Sequence, residues 1–576
     1  MRILLLCSAF NGLSQRAWTE LRAAGHEVSV QLAAGPDLVV RAVAEREPDL
    51  VLCPFLRERV PDEVWQKHRT IIIHPGPMGD RGSSSLDWAI TGAEPVWGVT
   101  ALQAIDEMDA GPIWATRTFP MPADPARKST LYNTAVADAA ISLIHEVVAK
   151  AADPTFEPTP LDYAHPDVIG RLRPTMKQAD RAFSWSDSTE DILRRIRAAD
   201  GSPGVRTTLA DIPVSVFDAY PGSAPPGEPG TIALRRHGAV LVRTGDGAVW
   251  VGHAKRLASD ARPAVKLPAA MALGRAVVWV PEALEPLEAD SENDGYREIS
   301  YRRVGDVGIL HFDFYNGAMS TAQCHRLAAA LRHATAQDTK VLLFQGGEVF
   351  SNGVHLNVIE AHADPMAEAW RNINAINDVC REIITCTGQL VISAVGGGAG
   401  AGGVMLALGA DRVLLRDGVV LNPHYRTMGL YGSEYWTYVL PRRVGEEQAQ
   451  RLTTACDPVG AAEAVRIGLA DEVLTGDPAE FPAAALEYAA ALAADAEYVR
   501  LLTTKRTTRE LDERHRPLET YRIRELAEMS RDIFDDRSGF AAARHAFVTK
   551  QKPATTTATV PAPRPALADE VEPAAG

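Results

Sequence analysis

A multidomain α/β protein that opens with a doubly wound, mainly parallel sheet is the architecture this sequence predicts, on three observations. The first 150 residues alternate apolar, β-branched runs with amphipathic stretches, as strand–helix–strand units do. Two Pro-rich connections, AADPTFEPTPLD at 151–162 and the acidic PEALEPLEADSENDG at 281–295, punctuate the chain. Beyond them, a Gly-rich run (395–403) lies embedded between two apolar segments, where a flexible loop would not be. These marks divide the chain into 1–160, a β-rich subdomain at 161–280, a linker at 281–295, a unit at 296–552 that ends in helices, and a tail at 553–576. The Ala/Pro/Thr-rich composition of that tail predicts disorder.

In order, strands are expected at 3–7, 28–32, 50–53 and 71–74, with helices at 14–24, 37–45, 61–67 and 129–150. The first turn, SAFNGLSQR, lacks the three-glycine dinucleotide fingerprint, which disfavours NAD and FAD. Ser8, Asn11 and Gln15 follow the first strand, where they either touch a ligand or cap the helix.

A length of 576 residues has room for three or four domains. Charged residues at 23% and apolar residues at 46% are ordinary for a globular protein. A formal charge of −15 argues against a general nucleic-acid or anionic-membrane surface. No apolar run approaches the roughly 18 residues of a membrane span. The start, MRILLLCSAF, turns polar at Asn11 and reads as a buried strand, not a signal peptide. Six scattered cysteines have no metal or framework spacing, as expected of reduced thiols in a cytoplasmic protein with no metal site.

The chemistry concentrates first in TIIIHPGPMGDRGSSSLDWAI (70–90) and WGVTALQAIDEMDAGPI (97–113). A strand delivers His74 onto a Pro/Gly loop, and a second strand leads to an acidic turn containing Asp109. A histidine and a carboxylate at the carboxyl ends of neighbouring strands can meet in one crevice. His-Pro-Gly, Arg81-Gly82, Gly98-x-Thr100 and Asp109-x-Gly111 together resemble the 10-formyltetrahydrofolate transferase and hydrolase family. The resemblance implies that His74 donates to the formyl oxyanion, that Asp109 orients it and moves protons, and that Arg81 helps bind the folate. One position departs: Ile72 stands where the family has an asparagine. The loss of that oxyanion donor is worth roughly 2–4 kcal/mol of barrier if nothing replaces it. Further on, RLRPTMKQADRAFSW (171–185) resembles the small β-rich subdomain of methionyl-tRNA formyltransferases, with Lys177 and Asp180 in structural roles.

The segments VLLFQGGEVFSNGVHLN, VISAVGGGAGAGGVMLALGADRVLL and AAEAVRIGLADEVL resemble, in order and spacing, the enoyl-CoA hydratase/isomerase (crotonase) family with its α/β spiral fold. The resemblance implies a coenzyme A thioester held by the backbone N–H groups of Val354, after Gly353, and of Gly402. Both hydratase glutamates are missing, their places taken by Met405 and Tyr425. Alkene hydration, which needs paired carboxylates around a water, is therefore disfavoured. Glu434 follows in SEYWTY, either a solvated charge or, given the aromatic residues around it, a partly buried base.

The fusion, with HPGPMGDRGSSSLDWAI and PHYRTMGLYGSEYWTYVLP, resembles the HypX/HoxX family of hydrogenase maturation factors across the ordered chain. That resemblance implies small-molecule substrates, 10-formyltetrahydrofolate and coenzyme A, and the hydrogenase maturation machinery as partner. It implies formyl transfer to the CoA thiol, then decarbonylation of formyl-CoA to carbon monoxide, with Tyr425 and Glu434 in the second step. Arg544, Lys550 and the basic segment 505–524 either bind CoA phosphates or form solvated helix faces. The alternatives are a formyl hydrolase releasing formate through a CoA thioester and a non-catalytic CoA- and folate-binding scaffold.

Overall fold

A computed structural model describes residues 1–124, 126–257, 264–288, 295–474 and 476–551. The tail at 553–576 and positions 289–294 of the acidic connection lie outside the described residues. The first sheet holds β1 (Arg2–Cys7), β2 (Glu27–Leu32), β3 (Leu50–Cys53), β4 (Thr70–His74), β5 (Val96–Gln103) and β6 (Ile113–Pro120). Their order is β2-β1-β3-β4-β5-β6. β1 to β4 are parallel, and β5 is antiparallel to both of its neighbours.

The unbroken apolar run in β1 follows from burial on both sheet faces. Ile3, Leu5 and Cys7 pack under α1 (Gly12–Ala23) and the helix Ala137–Ala152; Leu4 and Leu6 pack on the other face against Val39, Val43 and Val64. α1 presents Leu13, Ala17, Trp18 and Leu21 to the core, and Asn11 caps it by accepting the Ser14 N–H at 3.0 Å.

The second unit is antiparallel. Its central strands Ile212–Gly222 and Ala248–Arg256 are covered by the helices Thr189–Ala198 and Ala269–Leu273. The Lys177 N–H donates to the Asp180 carboxylate at 2.7 Å, starting the short helix Gln178–Arg181, a structural task.

The third unit is a six-stranded sheet, Ile299–Val304, Val307–Phe312, Val341–Gly346, Leu390–Val395, Arg412–Arg416 and Glu472–Leu474, parallel from its second strand onward. A three-stranded sheet, Ala399–Gly400, Val420–Asn422 and Val459–Gly460, lies beside it. The helices Leu518–Phe534 and Phe540–Val548 return onto Ile359 and Ile373.

The halves meet at Glu348, two residues ahead of the turn that carries the thioester motif. Arg127 (3.1 Å), Thr130 (2.5 Å) and Asn133 (3.1 Å), all after β6, bond its carboxylate. Among the described residues no helix is long and apolar enough to cross a membrane. All six cysteines are free and buried.

Candidate active sites

His74 ends β4, buried, with Ile72 next to it on the same face of the strand. Its Nε2 lies 2.9 Å from an oxygen of Asp80, a carboxylate buried to 1% exposure. Its Nδ1 lies 3.7 Å from Asp109, beyond hydrogen-bond distance. The orienting bond that the resemblance gave to Asp109 is therefore made by Asp80, a residue the sequence reading passed over. Asp80 stands six positions after His74 in the same loop, whose Gly79–Asp80 step was the only signal for it. Burial works against the His74 imidazolium, but the Asp80 hydrogen bond and the Asp109 and Asp80 charges outweigh it, so its pKa lies above the ordinary 6.5.

Asp109 also arrives by a route other than the expected one. β5 is antiparallel to β4, with His74 opposite Thr100, so its carboxyl end lies beside Thr70. The connection to β6 doubles back: Asp109, at φ 54°, accepts the Gly82 N–H at 3.2 Å. Arg81 fastens the same turn through Glu107 at 2.6 Å and the Met108 carbonyl at 3.0 Å.

The neighbouring polar residues are engaged by the protein itself. Ser8 accepts the Arg57 N–H and donates to Glu58; Gln15 donates to the Phe10 carbonyl at 2.8 Å. Asn11 is the α1 cap, its Nδ2 3.5 Å from the Tyr132 hydroxyl. Ile72 packs on the apolar side of the sheet with Leu4, Leu6 and Val60, and contributes no donor.

In the rear half, Glu434 is buried to 2% exposure, so the solvated reading falls. It accepts the Tyr425 hydroxyl at 2.7 Å and the Ser433 N–H at 3.2 Å. Its carboxyl lies against Gly402: a Cβ there would stand 2.5 Å from Glu434 Oε1 and would force that carboxyl to move. Gly402 opens the helix Gly402–Leu408, and Gly353, at φ 75°, sits beside it: a Cβ on Gly353 would stand 3.4 Å from the Gly402 nitrogen. The positive φ at Gly353 is what favours glycine there. Gly353, Gly402, Glu434 and Tyr425 thus lie together, with Val354 next in sequence after Gly353. Met405 is fully buried in the core, with no group that could accept a proton.

Burial raises the Glu434 carboxyl, only partly offset by its Tyr425 and Ser433 hydrogen bonds. Burial and the Glu434 charge push the Tyr425 phenol well above its ordinary range. Glu434 and Tyr435 both adopt left-handed backbone, φ 63° and 58°, and four distant side chains hold that turn. Asn377 accepts the Glu434 N–H at 2.6 Å, and Asp532 accepts that of Tyr431 at 2.6 Å. Glu525 accepts the N–H groups of Tyr435 and Thr437 at 2.9 and 2.8 Å, and Met529 sulfur lies 3.2 Å from the Gly432 nitrogen. Positions 525, 529 and 532 share one face of the helix Leu518–Phe534. Nothing local to SEYWTY announced them.

The proposed CoA-phosphate cations are divided. Arg544 is buried and bonded to Glu360 at 2.7 Å; Lys550 is exposed, its ammonium 4.7 Å from the Phe547 ring centroid. Within 505–524, Lys505 pairs with Asp411 and Arg522 with Asp378, tying helices to the body of the protein, while Arg509 pairs with Glu513 in its own helix and donates to the Tyr438 hydroxyl at 3.0 Å.

Two family models match the chain: enoyl-CoA hydratase/isomerase over residues 311–557, and formyl transferase, C-terminal domain, over residues 175–266. Hydrogenase maturation factor HoxX of Bradyrhizobium diazoefficiens is 44% identical, over 97% of both chains. The chain belongs to the HypX/HoxX family of hydrogenase maturation factors. HypX from Aquifex aeolicus, solved in complex with tetrahydrofolic acid, superposes with a TM-score of 0.92 at 40% identity, covering 97% of this chain and 98% of that one. A methionyl-tRNA formyltransferase of Sorangium cellulosum is 28% identical over 34% of this chain and 64% of its own length. The HypX/HoxX architecture is the fusion read from the motifs, a formyltransferase-like front joined to a crotonase-like rear.

Proposed function

We propose that this hydrogenase maturation factor makes carbon monoxide in two steps, from 10-formyltetrahydrofolate and coenzyme A. In the front site the CoA thiol attacks the formyl carbon while the His74 imidazolium, held by Asp80, donates to the developing oxyanion. Asp109, not bonded to the histidine, takes the thiol proton and passes it to the folate N10 as the C–N bond breaks. A thiol ionises near neutral pH and needs less assistance than an amine, which suits a site where Ile72 supplies no donor. Tetrahydrofolate and formyl-CoA leave the step.

In the rear site formyl-CoA breaks into carbon monoxide and CoA, a change without net oxidation or reduction. The Val354 and Gly402 amides hold the formyl oxygen, Glu434 takes the formyl proton, and the C–S electron pair leaves on sulfur. Tyr425, hydrogen-bonded to Glu434, donates to the departing thiolate and is reprotonated from the glutamic acid, returning the proton to CoA. The observation that carries this reading is the Glu434 carboxyl lying on Gly402 with Tyr425 bonded to it, where the hydratase carboxylate positions hold Met405 and Tyr425. The grip of Arg127, Thr130 and Asn133 on Glu348, beside the thioester turn, favours one internal passage along which the pantetheine arm swings.

Headspace gas analysis tests the reading. Protein with 10-formyltetrahydrofolate and CoA yields carbon monoxide, and omitting CoA abolishes it. Formate without carbon monoxide would replace this reading with the hydrolase, and no turnover with the scaffold.

A further inference from the structure

A second cleft lies behind the loop that carries Glu434. It encloses about 730 Å³, within the range of small-molecule sites, and Tyr431, Trp436 and Thr437 from that loop form part of its wall. Five arginines but only two carboxylates, Glu446 and Asp532, line it, in a chain whose formal charge is −15. Arg442 is paired with Asp512, and Arg537 with Asp532 and Glu528. Arg426, Arg516 and Arg524 make no ion pair among the described residues. The Asp532 charge is already shared by Arg537 and the Tyr431 N–H.

Arg524 lies near Glu528 and hydrogen-bonds the Tyr431 hydroxyl. Five arginines against two lining carboxylates still leave the cleft with an excess of positive charge, which an anion offering several oxygens neutralises. The remaining wall is aromatic. Tyr431 and Trp436 pack with centroids 5.4 Å apart, and Tyr438 and Tyr521 at 5.2 Å. Arg516 lies over the Tyr521 ring at 4.1 Å, extending that surface with a planar cation. The Trp436 indole N–H is buried without an acceptor, an unsatisfied donor in the same wall. An excess of arginines beside aromatic rings suits a planar ring joined to phosphate.

We propose that this cleft binds an adenine-nucleotide-class anion, its phosphates on Arg426, Arg516 and Arg524 and its ring against the tyrosine–tryptophan wall. Two sources offer that chemistry: a free nucleotide, or the nucleotide end of coenzyme A itself. Either occupant touches the loop whose opposite side places Glu434 on Gly402.

Calorimetric titration of the full chain with ADP, adenosine and CoA tests the proposal, and does not depend on carbon monoxide being made. ADP binds at least tenfold more tightly than adenosine. The double variant Arg516→Ala/Arg524→Ala, exposed or half-exposed positions away from the candidate catalytic groups, weakens ADP at least tenfold. An equal loss for CoA assigns the cleft to its nucleotide end; unchanged CoA affinity assigns it to a free nucleotide. Absence of ADP binding, or the same ADP affinity in the double variant and the parent, overturns the proposal. A protein that binds ADP here but makes no carbon monoxide would refute the reaction above and leave this site standing.

Discussion

Replacing Asp80 by asparagine tests the front site at the residue that orients its histidine. Asp80 accepts from His74 Nε2 at 2.9 Å inside the protein, and with Asp109 it outweighs the burial that would otherwise keep the imidazole neutral. A neighbouring carboxylate favours the protonated form of such a group, so its removal lowers the pKa. Asp109 stays at 3.7 Å in the variant, so only part of the elevation survives and burial regains influence. The folded His74 pKa lies above its unfolded 6.5, so its contribution to stability is fully present below 6.5 and is lost as pH rises through the folded value. Asp80→Asn should therefore lose stability at pH 5.5, with the difference shrinking by pH 9. The pH limb on which formyl transfer falls should move acidward. Ring-labelled histidine NMR reads the pKa directly, and denaturant midpoints at the two pH values read the stability. An unchanged His74 titration in Asp80→Asn would refute the assignment of Asp80 as the group that holds the histidine charged.

His74→Ala and Asp109→Asn should each abolish formyl transfer to CoA while leaving CoA affinity intact, followed by loss of 10-formyltetrahydrofolate and by calorimetry; Ile72→Asn should do little harm unless the apolar side chain shapes the pocket. With synthetic formyl-CoA, Glu434→Gln should stop carbon monoxide release while formyl-CoA still forms in the coupled assay, and Tyr425→Phe should only slow it; normal gas release from Glu434→Gln would sink the rear mechanism. Gly402→Ala places a methyl group 2.5 Å from the Glu434 carboxyl, so gas release should collapse with formyl transfer retained. Burial lifts the Glu525 carboxyl to about 8, so its cost to stability grows as pH rises from 4.5 toward that value. Glu525→Gln should flatten stability across this window and, by facing an amide donor toward the Tyr435 or Thr437 N–H, slow gas release by about tenfold, an unpaired donor costing about 1–3 kcal/mol.

Motifs carried within one short segment were legible. HPGPMGD, the FSNGV turn and the Gly-rich run each place backbone and side chain through local geometry, so His74, Gly353 and Gly402 could be named before any contact was known. Asn11 as helix cap was legible for the same reason, since an N-cap and the N–H it accepts are three residues apart. Asp80 escaped although it lies in the quoted motif, because a Gly-Asp turn is common and only the fold of the loop aims its carboxylate at His74.

The sequence by itself determined the α/β class, the order of the units and the residue types at both candidate sites, because periodicity, turn chemistry and motif spacing are properties of neighbouring residues. Tertiary structure alone decided which carboxylate bonds the histidine, because β5 runs antiparallel and its loop doubles back over β4. It alone decided that Glu434 is buried, since the groups that hold its turn, Asn377 and Glu525, stand 57 and 90 residues away from the positions they bond. A left-handed Glu434–Tyr435 step is unfavourable in isolation and persists only where such distant acceptors fix the backbone, and their pairing is written in no local pattern.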